Sequence, residues 1–156
     1  MSCKFISFDQ STTITGYCTW IDGNFISSGC FNHKKIKESD LRFETMCYDI
    51  ITFIKQEQPD VIAFEDTALQ TNAKVLKDLS QLQGVIIGYC LSHNIKYFIY
   101  TPSKWRTLLN FNIGKGVKRK DLKVQAIQYV LDNYNLNASE DEAEAICIGA
   151  AVLSEY

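Results

Sequence analysis

Histidine is almost missing from this chain of 156 residues: His33 and His93 stand alone, and neither completes a zinc-like ligand spacing. The six cysteines (Cys3, Cys18, Cys30, Cys47, Cys90 and Cys147) lie far apart and form no C-x-x-C pair. That pattern excludes a zinc ribbon or a dithiol redox motif and leaves them as reduced core or surface residues. No apolar run reaches the roughly 20 residues needed to cross a bilayer, and MSCKFISFDQ has no signal-peptide character. A soluble, intracellular chain without a membrane partner is expected. Proline occurs twice, and repeats, low-complexity tracts and linkers are absent. One domain over residues 1–156 follows, and a chain of this length hides roughly 70% of its unfolded surface.

Net charge is also small, at -2, but its distribution is uneven. Between residues 104 and 123, seven of the sixteen Lys and Arg face a single acid, Asp121. A local basic patch of this kind suits nucleic acid whatever the chain average.

What is abundant is patterned apolar sequence. Residues 3–9, 14–21 and 24–31 are rich in aromatic and β-branched residues, and Asp22-Gly23 joins the last two as a hairpin. Helical spacing over 40–56 ends at Gln58-Pro59. VIAF, at 61–64, is apolar without alternation, as in a strand covered on both faces. A helix over 73–92 follows, with GVIIGYCL apolar all round, so it is either deeply buried or faces a partner. Strand 96–100 and a short helix near 103–109 come next, then the glycine-bearing basic loop 111–117 and helix 119–133. The last helix begins at Ser139, three residues before Glu142, as in a capping box. The order β-β-β-α-β-α-β-α predicts an α/β fold whose five-stranded mixed sheet carries helices on its faces.

Acids sit at the ends of these elements. Asp9 closes the first strand, Glu65 the fourth, and Glu140, Asp141, Glu142 and Glu144 open the last helix. If strands one and four are neighbours and the last helix crosses them, several carboxylates converge. Such a group repels itself unless divalent cations bridge it. Oxygen ligands select Mg²⁺ or Mn²⁺, and two ions in one site suit phosphodiester chemistry. Against this, Glu140 and Glu142 are the kind of acids that cap a helix or face solvent. Trp105 fits a core or interface role, with base stacking as the alternative.

Four segments in this order, FDQSTTITGY (8–17), FEDTALQTNAKVLKDLSQLQG (64–84), GKGVKRKDLKVQA (114–126) and DEAEAICIGAA (141–151), resemble the RuvC-type Holliday junction resolvases of the ribonuclease H-like superfamily. The resemblance covers almost the full chain. It implies a ribonuclease H-like fold, three antiparallel strands then two parallel, and a homodimeric, metal-dependent endonuclease that nicks branched DNA in pairs. Asp9, Glu65, Asp141 and Glu144 match the catalytic and metal-binding acids, with two Mg²⁺ per active site and Mn²⁺ able to substitute. Lys120, or Lys118, matches a lysine near the scissile phosphate. Arg106, Lys115, Lys118, Arg119 and Lys120 supply phosphate contacts. The departures are Glu144 where the bacterial pattern has Asp, Gln10-Ser11 where it has Pro-Gly, and Ala68 with Leu69 where it has a junction-probing aromatic residue. Weak sequence preference at the cut site is therefore expected. Compact size, acidic charge and these departures fit a phage-encoded version acting in the host cytoplasm.

Two rival readings remain open at this point. FDQSTTITGY also resembles the phosphate loop of actin-like sugar kinases, although those need two such domains. A branched-DNA-binding module that does not cut is the other, with Glu144 a sign of decay.

Overall fold

The computed structural model describes all residues, 1–156. Its strands are β1 (Lys4–Asp9), β2 (Ile14–Ile21), β3 (Asn24–Asn32), β4 (Val61–Glu65) and β5 (Lys96–Tyr100). Its helices are α1 (Ser39–Glu57), α2 (Ala73–Ser92), α3 (Pro102–Leu108), α4 (Arg119–Tyr134) and α5 (Glu140–Leu153). Three helices follow β5, where the sequence places a short helix near 103–109, a helix over 119–133 and a last one from Ser139. The sheet order is β3-β2-β1-β4-β5. β1 to β3 are antiparallel, while β4 joins β1 in parallel and β5 joins β4 in parallel. At the β2-β3 turn Asp22 and Gly23 both take positive φ, 51° and 78°, the geometry a tight hairpin demands.

Strand alternation decides which side chains meet which helices. Ile6, Phe8, Ile62 and Phe64 pack against Met46, Ile50 and Ile54 of α1 and Leu82, Ile86 and Cys90 of α2. Phe5 and Ala63 point to the opposite face, into a core with Trp105, Ala126 and Val130 and the buried stretch of α5. Counting on by two, Asp9 shares the face of Phe5 and Ser7, and Glu65 shares that of Ala63. Both acids thus emerge on the side covered by α5. Parallel pairing with Phe8 opposite Phe64 brings them to the same end of the sheet.

α5 lies close to the strands because its sequence is small. It buries Ala143, Ala145, Ile146, Cys147, Ile148, Gly149, Ala150, Ala151 and Val152. Ser7 Oγ donates to the Ala145 carbonyl at 2.7 Å, and Trp20 Nε1 donates to the same hydroxyl at 3.1 Å. A Cβ on Gly149 would lie 2.4 Å from Trp20 Nε1 and 2.5 Å from Ser7 Oγ. At the other end of the helix, a Cβ on Gly16 of β2 would lie 2.0 Å from the Asp141 carbonyl oxygen. Two glycines therefore let the helix backbone touch the sheet.

α2 is less buried than its composition predicted. Leu82, Ile86 and Cys90 form its inner stripe, whereas Val75, Gly84, Gly88 and Leu91 are exposed. Of the two expectations for this helix, deep burial is ruled out.

Close seating of α5 has a measurable cost when disturbed. Gly149→Ala is expected to lower stability by about 1–3 kcal/mol, the usual penalty of overpacking. Gly84→Ala, whose Cβ meets nothing within 4 Å, should instead raise it by about 0.5–1 kcal/mol through helix propensity. Urea titration of both variants reads the contrast, and equal effects would mean that α5 is not held by this contact.

Candidate active site

The ends of β1 and β4 and the first turns of α4 and α5 enclose an open cleft of about 220 Å³. Fourteen residues line it, and only Ala68 and Leu79 are apolar, so the cleft is built for charge. Asp9, Glu65, Asp141 and Glu144 are all on its wall. Each arrives for a local reason. Asp9 and Glu65 are the last residues of their strands, on the α5 face by alternation. Asp141 and Glu144, three apart on α5, share one helical face. The capping box also forms: the Ser139 N–H donates to Glu142 Oε2 at 3.3 Å. Ser28 Oγ donates to the other Glu142 oxygen at 2.7 Å, so Glu142 anchors the helix rather than facing the cleft. Glu140 pairs with Lys123 at 2.5 Å.

Gln10, at the position where a Pro-Gly pair was the bacterial pattern, ties the two strand ends together. Its Nε2 donates to the Glu65 carbonyl at 2.7 Å. Ser11 closes the turn by donating to the Ile14 carbonyl at 2.7 Å. Gln83 of α2 steadies the segment after β4, accepting from the Thr67 backbone at 3.0 Å and donating to Asp66 at 3.3 Å. Leu69, beyond it, is 90% exposed at the rim.

Crowding perturbs the acids. Burial pushes the Asp9 carboxyl well above the ordinary carboxylate range, and the charges of Glu144 and Glu65 add to the effect. Burial likewise raises Glu65, to about 7; the Trp105 hydrogen bond opposes that rise, Glu144 reinforces it, and Arg106 and Arg119 oppose it. Asp141 is raised by burial and eased back by Lys123. Two partners hold acids directly. Trp105 Nε1 donates to Glu65 Oε2 at 2.7 Å, and the Arg106 guanidinium lies 3.7 Å from Glu144.

The donor set is all carboxylate oxygen, with no histidine or cysteine, which fits a hard cation such as Mg²⁺ or Mn²⁺. Three or more acids are not drawn into one closed ligating group. They share the cleft, with Glu65 turned to Trp105 and Glu144 beside both Asp9 and the Arg106 guanidinium.

The basic residues divide. Arg106, Arg119 and Lys123 line the cleft. Lys115, Lys118 and Lys120 are exposed and do not. Lys118 and Lys120, matched by resemblance to a lysine near the scissile phosphate, thus stand outside the cleft lining, whereas Arg119 and Lys123, four apart on α4, share the face turned to the acids. Arg106, expected as an open phosphate contact, has a side chain only 16% exposed and rests over the Trp105 ring at 4.7 Å. Trp105 itself is fully buried, in agreement with the core reading. Its bond to Glu65, the Gln10 tie and the cleft position of Lys123 were not foreseen. His33 forms a 2.7 Å pair with Asp49, away from the cleft.

This sheet order, with carboxylates gathered at the ends of adjacent β1 and β4 under a C-terminal helix, defines a protein of the ribonuclease H-like class. Residues 8–152 match the family described as crossover junction endodeoxyribonuclease RuvC, and the chain belongs to that family. The Caldicellulosiruptor saccharolyticus member is 22% identical over 150 residues, covering 93% of this chain and 89% of the relative. The Photorhabdus laumondii member is 25% identical over 147 residues, covering 92% and 82%. Among solved structures, T. thermophilus RuvC in complex with Holliday junction substrate superposes with a TM-score of 0.70 at 9% identity, covering 96% of this chain and 91% of that one. Fowlpox virus resolvase with substrate Holliday junction DNA gives 0.65 at 16% identity, covering 97% of both. The kinase resemblance of the first loop gives way to this family.

The raised acids fix a pH dependence. A carboxyl near 4.5 when unfolded and about 7 when folded penalises the fold as it ionises. The contribution of Glu65 to the stability of the metal-free protein is therefore fully present below about 4.5 and lost as pH rises through about 7. In chelator the melting temperature is expected to fall between pH 5 and pH 8 by several degrees, and Mg²⁺ at pH 8 should restore it. Glu65→Gln should melt above wild type at pH 8 in chelator. A flat profile would show that the acids do not crowd one another.

Proposed function

We propose that this chain is a metal-dependent endodeoxyribonuclease that resolves Holliday junctions, and related branched DNA, by paired nicking. One observation carries the reading: Asp9, Glu65, Asp141 and Glu144, from three separate elements, meet in a single polar cleft rimmed by cations. One RuvC/ribonuclease H-like domain, residues 1–156, is the catalytic unit. Asp9, Glu65, Asp141 and Glu144 hold two Mg²⁺, or Mn²⁺ in its place. Bound there, such ions would supply Lewis-acid chemistry, activating a water and offsetting charge on the leaving 3′ oxygen. Arg119 and Lys123, beside the acids on the cleft wall, orient the phosphate, while Arg106 stays paired with Glu144. The new bond joins water oxygen to phosphorus, the bond to the 3′ oxygen breaks, and the products carry a 5′ phosphate and a 3′ hydroxyl.

Binding divides from cutting. Lys115, Lys118 and Lys120, exposed on the loop before α4 and its first turn, track the DNA backbone outside the cleft, which gives steep salt dependence and little base readout. Aromatic wedges are missing from the rim, where Ala68 and Leu69 stand, and this supports weak sequence preference. A module that binds without cutting has less support, because a pure DNA binder gains nothing from four acids beside a phosphate path.

Wild type and Glu65→Gln, each mixed with a labelled junction whose branch point migrates through many sequences, test the reading. Mg²⁺-dependent nicks spread over many sequences are expected from wild type. The variant should bind alike and cut more slowly by over roughly a hundredfold, beyond the cost of losing an outer-sphere partner. Equal binding with or without Mg²⁺ and no nicks from wild type would favour the binding module, and nicks confined to one short sequence would reject weak preference.

Two opposed nicks call for two centres, and a twofold dimer is the economical source. α1 and α2, packed together, leave Leu41, Tyr48 and Leu91 exposed on their outer side, and this face supports a second copy as its occupant. Sedimentation should find a dimer that Leu91→Glu weakens at least tenfold. A Leu91→Glu dimer as tight as wild type would move the interface elsewhere.

A further inference from the structure

The two tryptophans of this chain are both fully buried, and each satisfies its single donor differently. Trp20 donates to the hydroxyl of Ser7, a scaffold group. Trp105 donates to Glu65 Oε2 at 2.7 Å, an acid on the wall of the cleft. We infer that Trp105 is a positioning residue, whose indole N–H fixes one oxygen of Glu65 so that the other stays free for a divalent cation. The inference rests on the nuclease reading of the same cleft and adds a residue to it.

Three observations support the assignment. The indole is itself immobile: Phe111 meets it edge-on with ring centres 5.6 Å apart, and the Arg106 guanidinium covers its ring at 4.7 Å. The helix that carries it is started by Pro102 and capped by Thr101, whose hydroxyl accepts from the Lys104 N–H at 3.2 Å. Trp105 also gives the Glu65 carboxylate its one direct hydrogen bond from protein, so nothing else sets that rotamer. A phenylalanine would fill the same core volume. What indole adds is a donor that accepts nothing and carries no charge. It can aim a carboxylate without cancelling the charge a cation needs, which an arginine or lysine there could not do. Outer-sphere hydrogen bonds of this kind orient metal ligands.

Trp105→Phe keeps the ring and removes the N–H. The melting temperature of the DNA-free protein, followed against Mn²⁺ concentration, should show a half-point shifted ten- to a hundredfold higher than in wild type, the range for loss of an outer-sphere partner. Junction affinity in chelator should stay within about twofold, since the basic rim is untouched. In a Glu65→Ala background, which has no acceptor for the indole, the same substitution should leave the half-point unchanged, because the two residues act through one bond. If Phe lets the core collapse, 3-benzothienylalanine at position 105 preserves the bicyclic shape without a donor and should give the same shift. A half-point equal to wild type in the donor-free protein, or a shift that persists with Glu65→Ala, would overturn the inference. Wild type that binds Mn²⁺ yet cuts no branched DNA would sink the nuclease reading and leave this one standing.

Discussion

Four carboxylates held in a partly buried cleft repel one another, and the rest of the molecule is arranged to hold them there regardless. A free chain would separate them at once, since each needs either water or an opposite charge. Here they emerge from elements whose ends are fixed by contacts elsewhere: β1 and β4 by parallel pairing along their lengths, α5 by a buried row of small residues. The scaffold carries that cost, and the carboxyls of Asp9 and Glu65, raised first by burial and then by the charge of Glu144, record it. Sites of this kind trade stability for function, and a bound cation returns part of what was given up.

Convergence depends on parity and spacing as much as on charge. Inserting one residue into β1 or β4 would turn its terminal acid to the α1-α2 face, where Phe8 and Phe64 now stand. The helix is equally constrained. Ser7 reaches the Ala145 carbonyl, Trp20 reaches Ser7, and Gly16 and Gly149 leave room for backbone against sheet. Between these contacts the first turn of α5 can only lie beside Asp9. α3 completes the enclosure, since adjacent residues Trp105 and Arg106 reach acids from two different elements.

Most of this architecture was legible beforehand. Alternation and aromatic content located the strands, VIAF announced a strand covered on both faces, and Asp22-Gly23 and Ser139 marked a hairpin and a helix start that both form. The clustering of Asp9, Glu65, Asp141 and Glu144 also followed, because strand ends and a helix start are local features and their order matched a known pattern. What was hidden depends on long-range packing. Nothing in TPSKWRTLL says that Trp105 meets an acid forty positions earlier. The run KRKDLK does not say which of its cations turns to the cleft until the helix start is known to a residue, and Arg119 and Lys123 are the two that do. GVIIGYCL overstated burial because its two glycines lie on the open side of α2, where composition alone cannot assign a face.

The seat of α5 has one further consequence. Its first turn rests on the Asp141 carbonyl over Gly16 and on Glu142 at the Ser28 hydroxyl, and not on the length of the side chain at 144. The reach of residue 144 is thereby uncoupled from the location of its helix. With the longer acid, Glu144 extends to within 3.7 Å of Arg106 and holds that cation inside the protein. A side chain one methylene shorter on the same backbone would fall short of the guanidinium and release it toward a substrate phosphate, so that a single carbon at this position divides a positive charge between internal order and the bound nucleic acid.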